Sequence, residues 1–250
     1  MWRIHRFLLT VLALPMLTSS TLTPTGWSQT TEETKSPEDR STTAAIPPGI
    51  NEPFLDPKLD PEDWRSKFEV ESREIFAHRE AVVRALQPGP GMRVADVGAG
   101  TGLFLRPLSE AVGVRGRVYA IDISPRLTEF MRRRARDERL HNVQVVLSQE
   151  DSITLPDQSV DLVFVCDTYH HFQRVPEMLT SIRFALRPGG HMVLIDFERI
   201  PGTSREWVID HVRADKATFR QEIERSGFVL VEEVPIPGFR ENYFLRFRRP

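Results

Sequence analysis

Apolar positions follow two rhythms along this chain. Short apolar runs recur at residues 94–97, 117–121, 144–147, 160–166 and 191–196, of strand length and separated by stretches long enough for helices. Such alternation predicts an α/β fold, a doubly wound and mostly parallel sheet with helices on both faces. Ahead of it, Trp64, Phe68, Ile75, Phe76, Val82, Val83 and Leu86 sit near one face of a predicted helix over 64–86, with Asp63 as its cap and Pro88-Gly89 as its stop. After 197 the rhythm breaks: an irregular stretch containing Pro201-Gly202 and Trp207 leads to a predicted helix over 216–225, closed by Ser226-Gly227. Two further strands, 228–231 and 243–247, flank Pro235-Ile236-Pro237-Gly238.

The first fifty residues have a different character. Arg3, His5 and Arg6 precede an apolar run from 7 to 17, too short to span a bilayer comfortably and patterned as a secretory signal peptide. The expected organisation is a signal peptide over 1–27, a disordered linker over 28–50 and a single domain over 51–250. The linker rests on its Thr, Ser, Pro and Glu content, which buries too little apolar surface to offset ordering entropy. Export to the periplasm or medium follows if the signal functions, and a cytoplasmic location if it does not. No transmembrane span is expected in the mature chain.

Composition narrows the partners. With 40% hydrophobic residues, the 250-residue chain can bury one sizeable core. A net charge of -2 argues against a nucleic-acid binder, and the Arg132-Arg133-Arg134 run reads as the solvated side of a surface helix. Cys166 is the only cysteine, so no intrachain disulfide can form, and its apolar strand makes it an inert buried residue.

Chemistry concentrates where strands end. Val94-Ala95-Asp96-Val97-Gly98-Ala99-Gly100-Thr101-Gly102 joins a strand to a glycine-dense turn that can press its backbone against a ligand. A dinucleotide fingerprint would place its third glycine at 103, where Leu103 stands. Asp122 ends the next strand, about twenty residues on, where a carboxylate can accept ribose hydroxyls. Glu150-Asp151-Ser152 follows the third strand, and Asp167-Thr168-Tyr169-His170-His171-Phe172 follows the fourth. Leu186-Arg187-Pro188-Gly189-Gly190 then leads into the fifth.

Five motifs in this order, from about Arg93 to Asp196, resemble the class I S-adenosylmethionine (SAM) dependent methyltransferases of the type 11 group, which includes ubiquinone/menaquinone-biosynthesis enzymes. The resemblance implies a Rossmann-like, seven-stranded sheet in the order 3-2-1-4-5-7-6 with one antiparallel strand, and a leading helix over the cofactor. It implies SAM as cofactor, held by Asp96, Gly98, Ala99, Gly100, Gly102, Asp122, Ile123, Asp151, Ser152 and Asp167, with Asp151 on the adenine amino group. Transfer of the SAM methyl group to a small-molecule acceptor follows. A non-catalytic SAM-binding protein and an NAD(P)-dependent oxidoreductase are the alternatives, the latter disfavoured by Leu103.

An oxygen, nitrogen or carbon acid as acceptor needs a base near its proton. His170, His171 and Asp167 are the expected catalytic groups, with His211 and Arg213 as a second possibility on a lid. Arg73 and Arg79 are candidates to reach the cofactor carboxylate. No metal is expected, because His170, His171, His191 and His211 lack zinc-type spacing and adjacent His170 and His171 would diverge on a strand.

Overall fold

The apolar runs pair as their alternation requires. In the computed structural model, which describes residues 46–250, seven strands form one sheet: β1 (Arg93–Val97), β2 (Arg117–Asp122), β3 (Val143–Leu147), β4 (Val160–Cys166), β5 (Leu186–Phe197), β6 (Val229–Glu233) and β7 (Asn242–Arg248). Their order is β3-β2-β1-β4-β5-β7-β6. From β3 to β5 all neighbours are parallel, while β7 runs antiparallel to β5 and β6. Both the order and the single reversed strand agree with the sequence expectation.

Successive residues of a strand face opposite sides, and each side has its own cover. Val94, Leu162, Phe164 and Val193 pack with α4 (Arg79–Leu86) and α5 (Leu105–Val112); Ala95, Val97, Val163, Val165 and Leu194 pack with α7 (Val175–Ala185) and α9 (Lys216–Arg225). Along the β2–β3 edge, α6 (Pro125–Asp137) closes a smaller core around Ala120 and Met131. Phe104, just past the glycine turn, meets Phe164 edge-on at 5.0 Å between ring centres, a contact worth about 0.5–1.5 kcal/mol beyond area burial.

Several boundaries differ from the sequence expectation. The single helix over 64–86 is three: α2 (Pro61–Phe68), α3 (Glu74–Ala77) and α4, preceded by the short α1 (Glu52–Leu55). Asp60, not Asp63, caps α2 by accepting from the Glu62 amide at 3.0 Å. The helix breaks between Phe68 and Glu74 because the side chains of Glu69 and Arg73 are drawn to partners on α6 and beyond β4. The glycine turn before the fifth strand lies inside β5, where pairing with β4 skips from Leu186 to His191. Ile50, assigned to the linker, is buried in the domain. The rest of that assignment before residue 46, and the signal peptide over 1–27, lie outside the described residues. Among the described residues no helix is long and apolar enough to cross a membrane.

The turn after β1 is set by Gly98. It has φ of 73°, and a Cβ there would stand 2.2 Å from the Thr168 side chain in the loop after β4. Gly98→Ala should therefore destabilise the domain by about 2–4 kcal/mol through positive-φ strain and overpacking, measured by denaturant unfolding.

Candidate active site

Parallel strands bring their carboxyl ends to one edge, and a cavity of about 690 Å³ opens there. Asp96, Gly98, Ala99, Gly100, Asp122, Ile123 and Asp167 line it, as do His170, His171 and His211. Gly98 and Ala99 donate their amides to the Ile121 carbonyl at 2.8 and 3.0 Å, which folds the glycine turn back over β2. Gly102, expected among the cofactor contacts, sits behind the turn; a Cβ there would strike Leu105 at 2.6 Å, so its role is to let α5 pack closely.

The two carboxylates at the ends of β1 and β2 are both buried but differently satisfied. Asp122 accepts from the Gly100 amide at 2.8 Å and the Ser124 amide at 2.9 Å. Burial raises it to about 6 against those stabilising donors. Asp96 is raised further, to about 7, by burial and then by the charge of Asp122, and its Oδ2 has no hydrogen-bond partner. An orphaned buried carboxylate oxygen on a cavity wall suits a cationic ligand group, while Asp122, held by backbone, keeps lone pairs for hydroxyls. Residues Asp96 to Ile123 thus fit an adenosine carrying an ammonium and a sulfonium.

Asp151 and Ser152 do not join them. Gln149 and Ser152 bridge across a tight turn, which turns Asp151 outward to Arg174 at 3.2 Å and Ser152 to Ser181 at 3.1 Å. Both line a separate shallow hollow beside α7, whereas Ser148, Gln149 and Glu150 face the cavity. Of this segment it is the turn just before Asp151, not Asp151 itself, that lines the cavity.

Two ion pairs hold the leading segment over the cavity. Arg73 reaches Asp167 at 2.5 Å, and Asn242 donates to the other Asp167 oxygen at 2.7 Å. Both Asp167 oxygens are thus engaged, and burial raises the carboxyl to about 6 against the pull of Arg73. Arg134 pairs with Glu69 at 2.5 Å and donates to the Thr101 carbonyl at 3.0 Å, and the Thr101 hydroxyl donates to Glu69 at 2.8 Å. Arg134 thus departs from the solvated reading of the basic run. Arg79 bonds the Phe76 carbonyl and lies outside the cavity.

At the far end the histidines gather. His170 and His171 lie on a one-turn 3-10 helix, Tyr169–His171, not on a strand, and they do not diverge. His170 Nδ1 is 2.8 Å from Asp196 Oδ1, inside the end of β5. Asn51 brackets His171: its Nδ2 donates to the His171 carbonyl at 3.1 Å, which leaves its Oδ1 to face His171 Nδ1 at 3.2 Å. From α8 (Glu206–His211), His211 Nε2 approaches His171 Nε2 to 3.3 Å. Burial, then the charges of His170 and His211, lower His171 to about 2, so it is neutral and a poor base. Phe54 meets His171 edge-on at 5.3 Å and packs at a tilt on Trp64 at 4.6 Å, while Phe197 and Trp207 pack together at 4.9 Å, giving this end aromatic walls. Arg213, the other lid candidate, is buried instead against Glu222 at 2.6 and 2.8 Å.

Asn51, Asp196 and Asn242 were not foreseen as site residues. Asp196 ends a parallel strand as Asp96 and Asp122 do, and that shared position was the available signal; Asn51 and Asn242 carried none.

Comparison with known proteins agrees with this geometry. The family described as "Methyltransferase domain" matches residues 95–194. A SAM dependent methyltransferase from Aquifex aeolicus superposes with a TM-score of 0.68 at 25% identity, covering 77% of this chain and 100% of that one. The ubiquinone/menaquinone biosynthesis C-methyltransferase UbiE of Shewanella frigidimarina is 29% identical over 109 residues, 43% of each chain. A 37.1 kDa transposon protein of Streptomyces fradiae is 34% identical over 47% of this chain and 34% of its own length. The chain thus spans less than half the length of these curated relatives. With its strand order, glycine turn and acidic strand ends, the domain has the architecture of the class I SAM-dependent methyltransferases, and its residues 95–194 are those that match the methyltransferase-domain family.

Proposed function

We propose that this protein transfers a methyl group from SAM to a small acceptor bearing an ionisable oxygen, nitrogen or carbon, bound between the aromatic walls and the histidines. The observation that carries the reading is the unpartnered Oδ2 of Asp96 beside the backbone-held Asp122, on the wall formed by the glycine turn. When bound, SAM supplies an electrophilic methyl on a positively charged sulfur.

The chain's own groups divide the remaining work. Asp122 binds the ribose hydroxyls, Asp96 offsets the ligand's positive charge, and Ser148 to Glu150 border the adenine. Arg73 and Arg134, through Asp167 and Glu69, keep the leading segment over the cavity and water out. His170 takes the acceptor proton on Nε2, because Asp196 occupies its Nδ1 and so fixes the tautomer. Phe54, Trp64, Phe197 and Trp207 suit a planar acceptor, and the relatives named for ubiquinone/menaquinone biosynthesis make quinol-like rings the first class to try.

Calorimetric titration should give saturable SAM and S-adenosylhomocysteine binding, at least tenfold weaker in Asp122→Asn; indifference to both ligands would remove the reading. Formation of S-adenosylhomocysteine on adding phenols or quinols then separates an enzyme from a binding protein. Affinity for SAM should rise about tenfold from pH 6 to 8 as one group near 7 ionises, and the rise should flatten in Asp96→Asn. The ligand-free protein has the opposite trend. Asp96 binds its proton more tightly folded than unfolded, so stability falls as pH rises from about 4 to about 7, and Asp96→Asn should melt at least about 2 °C higher than the parent at pH 8.

A further inference from the structure

We propose that His170, His171 and His211 form a three-histidine site for a divalent transition-metal ion, with zinc the first choice and an open coordination position facing the cavity. One ring nitrogen from each lies within 4.8 Å of the others. His171 Nε2 and His211 Nε2 are already 3.3 Å apart. Two imidazole nitrogens on a tetrahedral zinc, each bonded at about 2.0–2.1 Å, stand about 3.3 Å apart, so this edge of the polyhedron is in place.

Hydrogen-bond counting points the same way. The His170 ring nitrogen facing Asp196 carries a proton, because the Asp196 carboxylate is an acceptor there and also accepts from the Phe197 amide at 2.8 Å. The His171 Nδ1 facing Asn51 Oδ1 also carries one, the amide's orientation being fixed by Nδ2 donating to the His171 carbonyl. Both Nε2 atoms are then bare acceptors. His211 Nε2 has a single proton to offer, so hydrogen bonding among the three rings leaves one lone pair unanswered, whereas one cation satisfies all three.

The surroundings are those of a metal ligand set. Carboxylate on His170 and amide oxygen on His171 orient the rings from behind, the arrangement that raises imidazole basicity toward a metal. Asp196 also supplies negative charge near the ion. Three neutral imidazoles suit zinc, cobalt, nickel or copper over magnesium or calcium, and the fourth position opens on the cavity that all three rings line. With an ion bound, His170 gives its lone pair to the metal and no longer serves as base; an oxygen acceptor on the open position would have its pKa lowered by the ion and would lose its proton to solvent water before the methyl is transferred.

Untagged, metal-stripped protein is titrated with Co²⁺, read by visible absorption, and with Zn²⁺, read by calorimetry. Expected are one ion per chain at micromolar affinity or better and the intense absorption of a four-coordinate cobalt site. Binding should weaken at least about 100-fold in His211→Ala and about 10–100-fold in Asp196→Asn. S-adenosylhomocysteine affinity, measured alongside, should be unchanged in His211→Ala, which certifies the fold and keeps this test separate from that of the methyltransferase reading. No saturable uptake by the parent protein, or uptake as tight in the His171→Ala/His211→Ala double variant, would overturn the site.

Discussion

Two carboxylates buried side by side at the ends of adjacent parallel strands are the constraint from which the rest of the site follows. Asp96 and Asp122 are forced together because β1 and β2 pair in register, with Asp96 opposite Ala120 and Val97 opposite Ile121. Low dielectric makes their repulsion costly, and each must lose its charge or find a positive partner. The glycine turn resolves half of the problem by presenting the Gly100 amide to Asp122, which needs backbone conformations and a closeness to Thr168 that a side chain at Gly98 would forbid. Asp96 is left with an oxygen that nothing in the protein answers. A fold that tolerates this in its core has stability stored as binding capacity for a cation-bearing ligand.

The roof over that pair is secured by charge more than by packing. Among the helices of the leading segment, α4 sends Val82 and Leu86 fully into the core, while α2 buries only Pro61. What fixes the stretch between them is Glu69 on Arg134 and Arg73 on Asp167, each with one partner nearly buried. Removing the cationic partner of such a pair costs more than the ~1 kcal/mol of an exposed bridge, because it leaves a desolvated carboxylate unpaired. They also explain the break in the helix: side chains on a continuous helix over 64–86 would have no means to bring Glu69 to α6 and Arg73 to the end of β4 together.

Legibility in the sequence followed the physics of burial. Strands buried on both faces announce themselves as apolar runs, and the strand-end acids Asp96 and Asp122 could be read beside them, whereas the strand order and the reversed strand came from the family resemblance alone. The helix over 64–86 was not, because periodicity registers only the apolar face, and here polar contacts on the other side decide where the chain bends. Asp151 was misplaced for a related reason: a tight turn between Gln149 and Ser152 changes the direction of one side chain without altering any hydrophobic pattern. Asn51 and Asn242 belong to the site through contacts spanning more than seventy residues, which no local spacing records.

The histidines show most clearly how a wrong local conformation propagates into wrong chemistry. On a strand, neighbours point about 180° apart, and His170 and His171 could share nothing. A 3-10 helix turns about 120° per residue, and the two rings come to 4.4 Å between centres. That turn forms because the chain must leave β4 over Asp196, whose carboxylate accepts from the His170 amide as well as facing its ring. His211 completes the group because Arg199 holds the Ile209 carbonyl of α8 at 2.9 Å and Trp207 packs on Phe197. The cluster is thus assembled from the end of β4, the end of β5 and a short helix beyond them, and what sets its chemistry is Asp196, the third acidic residue ending a parallel strand at the same edge as Asp96 and Asp122.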